Sequence, residues 1–289
     1  MTYVGRFAPS PTGPLHYGSL VAALASFLDA RHAGGKWLLK IDDLDPPRES
    51  IDAPQEILRQ LLALGLQWDL KVIYQSARLN SYDDAIESLQ PFTFPCTCSR
   101  KSVAKVYSGT CRLKRYPKPG EPYAVRVQVP KQSVSIDDRR LGLHTWNLET
   151  DVGDFIIKRK DGLHAYQLAV VIDDLHYSVT HIVRGNDLLE STPRQLAIYE
   201  RLNVSPPQYL HIPVLVDKSG NKLSKQAHAK PVDTSDAAST IRSALADLGQ
   251  NTHENALNTK ELLKKAASCW NPTTIPNVHD ICAPNAYLK

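Results

Sequence analysis

Two stretches of this sequence combine small, cationic and imidazole side chains at spacings suited to holding phosphate. The first is Arg6-Phe7-Ala8-Pro9-Ser10-Pro11-Thr12-Gly13-Pro14-Leu15-His16-Tyr17-Gly18. An apolar run precedes this loop and a helical pattern follows it. It therefore delivers the chain to a helix N-terminus, where free N–H groups and the positive end of the helix dipole attract an anion. Gly18 has no side chain to block an approaching nucleotide, and His16 can donate to a phosphate oxygen as charge builds in a transition state. The loop is neither G-x-G-x-x-G nor G-x-x-x-x-G-K-[ST], so it is not a dinucleotide fingerprint or a P-loop. The second stretch is Lys218-Ser219-Gly220-Asn221-Lys222-Leu223-Ser224-Lys225. Its lysines Lys222 and Lys225 sit on a polar loop able to close over a polyphosphate and neutralise departing pyrophosphate. Taken singly, His16 also reads as an ordinary helix-start residue and the second loop as a solvated turn.

A third group is Cys96-x-Cys98 with Cys111. Three of the five cysteines lie here, within a segment (91–122) containing seven prolines or glycines and little hydrophobic periodicity. Two thiolates one residue apart and a third after a loop can pin a metal tetrahedrally, and a metal would stabilise a segment so poor in core. No histidine lies between residues 33 and 143, so spacing alone leaves the fourth ligand open to water or a remote residue. Cys269 and Cys282 read as small buried hydrophobes. Between Cys96 and Lys131 the net charge is +8, from Arg100, Lys101, Lys105, Arg112, Lys114, Arg115, Lys118, Arg126 and Lys131 against Glu121. Such a patch suits a polyanion, the bland alternative being a solvated loop.

The elements that must position these groups alternate. Strands are predicted at Tyr3–Phe7, Lys36–Ile41, Val72–Tyr74, Tyr123–Val129, Phe155–Arg159, His181–Arg184 and His211–Val216. Helices are predicted at Gly18–Ala33, from an Asp52 cap to Gly65, and at Arg78–Leu89, Thr192–Asn203, Thr234–Leu248 and Thr259–Trp270. Leu168–Leu175 is apolar and fits either type. Strand–loop–helix–strand units predict an α/β protein with a parallel sheet.

Composition sets the outer bounds. With 289 residues, 42% hydrophobic and 22% charged, the chain can bury a sizeable core in about two domains. The absence of an apolar run of about 18 residues argues against a membrane span. Met1–Arg6 lacks the pattern of a signal peptide, so a cytoplasmic protein with reduced cysteines is expected. The net charge of +4 is an average over the basic segment and a more acidic remainder. Residues 230–289 carry six basic and six acidic side chains, which is no RNA-binding arm.

Together the two loops resemble the paired signatures of class I aminoacyl-tRNA synthetases. Pro14-Leu15-His16-Tyr17-Gly18 is similar to their HIGH signature, and Lys222-Leu223-Ser224-Lys225-Gln226 to KMSKS. Arg6 to Gly13 and Lys40-Ile41-Asp42-Asp43-Leu44-Asp45-Pro46-Pro47-Arg48 resemble the glutamyl enzymes in particular, and the likeness runs from Tyr3 to about Lys225. The resemblance implies an α/β Rossmann-type parallel sheet with a zinc-bearing insertion and a short helical C-terminal region. The implied division is 1–90 with 165–225 as catalytic domain, 91–164 as zinc-binding insertion, and 226–289 as a helical region with no anticodon-binding domain. It implies that His16, Lys222 and Lys225 are catalytic, and that His16, Gly18 and Lys225 bind ATP. Arg6, Phe7, Ala8, Pro9, Ser10, Asp42, Tyr166 and Arg184 would bind glutamate. Asp42 stands where the family usually has Glu, one methylene longer. Without the resemblance, Tyr166 would be read as core and Arg184 as a surface ion pair.

In the small glutamyl-queuosine variants of this family a Cys-x-Cys…Tyr-x-x-x-Cys set binds zinc. That implies Cys96, Cys98, Tyr107 and Cys111 as ligands of one structural Zn2+. The same resemblance implies activation of L-glutamate by ATP and Mg2+ without tRNA, then transfer to the queuosine in the anticodon loop of tRNA(Asp). A monomer is expected. The rival expectations are a truncated glutamyl-tRNA synthetase charging the 3′ end of tRNA(Glu), and a non-catalytic zinc-containing RNA-binding paralogue.

Overall fold

The computed structural model describes residues 2–99, 103–104, 106–113, 117–223 and 230–287. In chain order the elements are β1 (Val4–Phe7), α1 (Tyr17–His32), β2 (Lys36–Ile41), α2 (Ala53–Ala63), β3 (Ile73–Tyr74), α3 (Leu79–Ser88), β4 (Thr93–Cys96), β5 (Ala124–Val127), β6 (Ser133–Asp138), β7 (Gly142–Asn147), β8 (Phe155–Lys158), α4 (Tyr166–His176), β9 (His181–Gly185), α5 (Thr192–Leu202), β10 (Gln208–Ile212), β11 (Val214–Val216), α6 (Ala237–Asp247), α7 (Thr259–Ser268) and β12 (Asp280–Cys282). Short 3-10 turns and one π-helical turn, Leu148–Val152, join them.

β1, β2 and β3 pair in parallel in that order, and β9 pairs in parallel with β10. β9 lies beside β1. At their shared start the Thr180 N–H donates to the Val4 carbonyl (2.9 Å) and the Val4 N–H to Thr180 Oγ1 (2.9 Å). The strands therefore follow the spatial order β3-β2-β1-β9-β10, with β1 central and buried from Gly5 to Phe7. Sequence order reverses at β1, which opens a crevice at the carboxyl ends of the strands. Strands buried on both faces favour continuous apolar runs, so the charged exceptions Arg6, Lys40 and Arg184 are conspicuous.

α1 is buried almost all round because the sheet covers one side and α6 and α7 the other. The turn after it needs glycine: a Cβ on Gly35 would lie 2.4 Å from the Tyr3 carbonyl oxygen. A second core joins α3, α4 and α5 to the antiparallel sheet β4-β5-β8 and the hairpin β6-β7. The hairpin seats on β10 through the Arg139 N–H to the Tyr209 carbonyl (3.0 Å). The third cluster is small: Cys96, Tyr107 and Cys111, with Phe94, Cys98 and Val103 against them.

Several local expectations change. Asp52 precedes α2 but its side chain makes no capping bond; Pro54 and the Ala53 N–H to Ser50 carbonyl bond (3.1 Å) start the helix instead. Leu168–Leu175 lies within α4. The strand predicted at His211–Val216 is two strands, because Pro213 lacks an N–H for a continuing ladder. β10 stays on β9, and β11 pairs with β12. The β6-β7 hairpin has no counterpart among the predicted strands. Cys269 and Cys282 are exposed rather than buried, since each lies beyond or at the edge of the element that carries it. No helix among the described residues is long and apolar enough to cross a membrane.

Candidate active site and metal centre

The crevice at the strand ends is a cleft of about 430 Å³, within the usual range for a small-molecule site. Arg6, Phe7, Ala8, Pro9 and Ser10 line it, together with His16, Gly18, Asp42, Tyr166, Arg184 and Lys222. The site residues expected from sequence thus share one cavity, apart from Lys225, which lies outside the described residues, and the cysteine group.

Each buried cation here has a fixed partner. Asp174 of α4 accepts from Arg6 Nε (3.0 Å) and Nη2 (3.2 Å), with both side chains buried. One edge of the Arg6 guanidinium is therefore taken, leaving Nη1 and a remaining Nη2 proton for a ligand. Lys40 lies between Asp42 (3.0 Å) and Asp173 (3.2 Å). Burial disfavours its charge, but the two carboxylates outweigh that and raise its pKa. Asp173 is further held by Gln75 (2.8 Å), Arg78 (2.7 Å) and Tyr82 (2.9 Å). Adjacent carboxylates on α4 therefore anchor the cations of β1 and β2. The sequence showed Asp173-Asp174 without a role, because their partners lie about 90 to 170 residues away in the chain.

Asp42 is different. Its Oδ1 is buried and lies 3.0 Å from the Lys40 ammonium, but makes no hydrogen bond of good geometry. Desolvation raises its pKa to about 6 against the pull of Lys40. A buried carboxylate oxygen left under-satisfied beside a cleft is a ready acceptor for a ligand cation. The Asp42 N–H donates to the Pro9 carbonyl (3.0 Å), tying the first loop to the end of β2. Tyr166, the first residue of α4, is half-buried rather than core.

Arg184 is buried, not a surface ion pair. Its Nε donates to His211 Nε2 (3.0 Å), Nη1 to Gln195 Oε1 (2.9 Å) and Nη2 to Thr192 Oγ1 (2.8 Å). Sequence reading passed over His211 and its partner Asp138. The available signal was the alternation of β6, which buries Val134, Ile136 and Asp138 on one face.

His16 is the N-cap of α1, its Nδ1 accepting from the Ser19 N–H (3.3 Å). The ordinary reading of this residue as a helix-start group is thus correct, and it still lines the cleft. Gly18 serves the same ring: a Cβ there would meet His16 at 3.3 Å and Leu215 at 3.4 Å. Lys222 also lines the cleft and pairs with Asp187.

The cysteine group lies apart from the cleft. The Sγ atoms of Cys96, Cys98 and Cys111 all fall within 4.8 Å of one another. The Tyr107 hydroxyl is 3.7 Å from Cys96 Sγ and 3.9 Å from Cys98 Sγ. Donors about 2.3 Å from a tetrahedral ion stand about 3.8 Å apart, so three sulfurs and one phenol oxygen fit a metal of zinc's preferences. Burial would raise the Cys111 thiol, but hydrogen bonds led by Tyr107 and Cys98 outweigh it and lower it to about 7. Arg126 lies over the Tyr107 ring (3.9 Å to its centre) and donates from Nε to Cys96 Sγ (3.2 Å). Arg112 is bound to Asp154 through Nε (2.5 Å) and Nη2 (2.6 Å). Two members of the basic run therefore serve the fold of this region. Arg100, Lys101, Lys105, Lys114 and Arg115 lie outside the described residues.

Comparison with known proteins gives a consistent result. Residues 3–100 and 98–255 match the family model of tRNA synthetases class I (E and Q), catalytic domain. A Chromobacterium violaceum protein named glutamyl-Q tRNA(Asp) synthetase is 47% identical over 285 residues, covering 95% of both chains. A Pseudomonas aeruginosa protein of the same name is 45% identical over 282 residues, covering 95% of this chain and 96% of its own. Among solved structures, the glutamate-tRNA synthetase of Elizabethkingia anophelis superposes with a TM-score of 0.81 at 22% identity, covering 96% of this chain and 67% of that one.

Proposed function

The chain belongs to the glutamyl-Q tRNA(Asp) synthetase family of class I ligases, and on that premise we propose that it forms glutamyl-adenylate from L-glutamate and ATP without tRNA, then transfers glutamate to queuosine at the wobble position of tRNA(Asp). The observation that carries this reading is the convergence of Arg6, Asp42, Arg184, His16 and Lys222 on one cleft. Asp42 takes the substrate ammonium, since its buried carboxylate lines the cleft and is engaged there only by the Lys40 ion pair. The shorter Asp side chain suffices because Lys40 and the Pro9 carbonyl hold the end of β2 in place. Arg6 and Arg184 direct their remaining donors at a carboxylate, and Tyr166 walls that space.

ATP lies over the start of α1, its phosphates near His16 and Lys222, with Lys225 completing the loop and magnesium arriving on the nucleotide. The glutamate α-carboxylate attacks the α-phosphorus in line and pyrophosphate leaves. A queuosine hydroxyl then attacks the carbonyl of the adenylate and AMP leaves. No protein nucleophile is needed, because phosphoryl chemistry of this kind rests on positioning and charge stabilisation. Cys96, Cys98, Tyr107 and Cys111 hold a structural zinc, and the basic segment around it meets RNA phosphates. We assign 1–90 with 165–225 to catalysis, 91–164 to the zinc-bearing insertion and 226–289 to a helical region that packs on α1, and we place the protein in the cytoplasm.

The test is ATP–pyrophosphate exchange. Exchange that depends on glutamate and proceeds without tRNA is expected. His16→Ala should lower it by about a hundredfold, with the fold intact and the melting temperature reduced by only a few degrees through loss of the α1 cap. Exchange that requires tRNA, or is untouched in His16→Ala, would overturn the assignment.

A further inference from the structure

Arg184 is held by a buried relay that begins outside the parallel sheet. Asp138, at the end of β6, accepts from His211 Nδ1 (2.7 Å) and from the His211 N–H (3.0 Å) through Oδ2. Its Oδ1 accepts from the N–H groups of Arg140 (3.0 Å) and Leu141 (2.9 Å). An ionised carboxylate only accepts, so the His211 proton sits on Nδ1. The neutral ring then presents a lone pair at Nε2, 3.0 Å from Arg184 Nε, an atom that can only donate. Gln195 and Thr192 take one proton from each terminal nitrogen of Arg184. One N–H on each remains, on a guanidinium that lines the cleft and lies above the Tyr209 ring (5.3 Å to its centre).

We propose that Asp138 and His211 are positioning residues that set the orientation and the remaining donor pair of Arg184, and thereby the affinity for the glutamate carboxylate. The proposal rests on the reading of the cleft given above. Every member of the relay is buried, so no water competes to turn the guanidinium. The charged groups around His211 are Asp138 of β6, Arg184 of β9 and Arg140, whose Nε donates to the His211 carbonyl (2.5 Å). Burial adds to the preference for a neutral ring. The hairpin β6-β7 thus has a part in the chemistry although only its base reaches the sheet.

The relay makes an asymmetric prediction. His211→Leu removes the acceptor, and the glutamate KM should rise about 10–100-fold, with ATP KM and kcat within about twofold. In His211→Gln a side-chain carbonyl can accept from Arg184, so most of the affinity should return. Asp138→Asn can donate to His211 Nδ1. That moves the ring proton to Nε2, against the Arg184 donor, so this variant should resemble His211→Leu despite its near-identical shape. Imidazole 15N shifts should report an Nδ1–H tautomer in the parent protein and its loss in Asp138→Asn, whatever substrate the enzyme uses. A folded His211→Leu with the parent glutamate KM, or an Nε2–H tautomer in the parent, would overturn the proposal. So would equal increases in glutamate and ATP KM with no rescue by Gln, which mark a merely structural role. If the parent protein shows the tautomer but no glutamate-dependent exchange, the reading of the substrate fails and the relay stands.

Discussion

The cleft and the cysteine centre are both clusters of ionisable side chains, and they are stabilised in opposite ways. In the cleft, Arg6 meets Asp174, Lys40 meets Asp42 and Asp173, and Arg184 meets His211, Gln195 and Thr192. Apart from Asp42, which follows Lys40 by two residues, the partners come from other elements, and two large apolar cores lie behind them. The protein alone fixes that site. Around Cys96, Cys98, Tyr107 and Cys111 the apolar backing among the described residues is two further side chains, Phe94 and Val103, and the donor atoms mainly face one another. There, the donors are grouped so that a metal ion could complete the structure. A site that must bind and release substrates is preorganised by the fold, whereas one that only has to hold its shape can be left to a metal.

Removing the metal should give the largest effect and tests the contrast directly. The purified protein is expected to hold one zinc per chain. Stripping it with a strong chelator should speed amide exchange at Cys96, Tyr107 and Cys111 by about a hundredfold or more. Glutamate-dependent pyrophosphate exchange should stay within about threefold. Equal loss of both would mean that the cleft also depends on the ion.

A smaller effect probes the least satisfied group in the cleft. Asp42, raised to about 6, must be ionised to receive an ammonium. kcat/KM for glutamate should therefore be level above that pH and fall about tenfold per unit below it. Asp42→Asn should raise the glutamate KM by about 10–100-fold, leave the ATP KM alone and abolish the acid limb. A limb that persists in the variant would assign the titration to another group.

The parts of this architecture legible in the sequence were those encoded locally. The loop from Arg6 to Gly18, the α1 periodicity and the Cys-x-Cys pair each sit within one short window. The buried partners were not legible, because Asp173, Asp174, His211 and Asp138 acquire roles only when strands and helices far apart in sequence meet. The split at Pro213 was visible as a proline within an apolar run, but the different sheets of β10 and β11 are tertiary facts. The hairpin β6-β7 went unread because its alternation includes serines and aspartates on a strand whose inner face carries a functional acid.

The central claim is the identity of the acceptor. The purified enzyme, labelled glutamate and ATP should be offered tRNA(Asp) with and without queuosine. Label is predicted only on the queuosine-containing tRNA, and equal labelling of both would contradict the account.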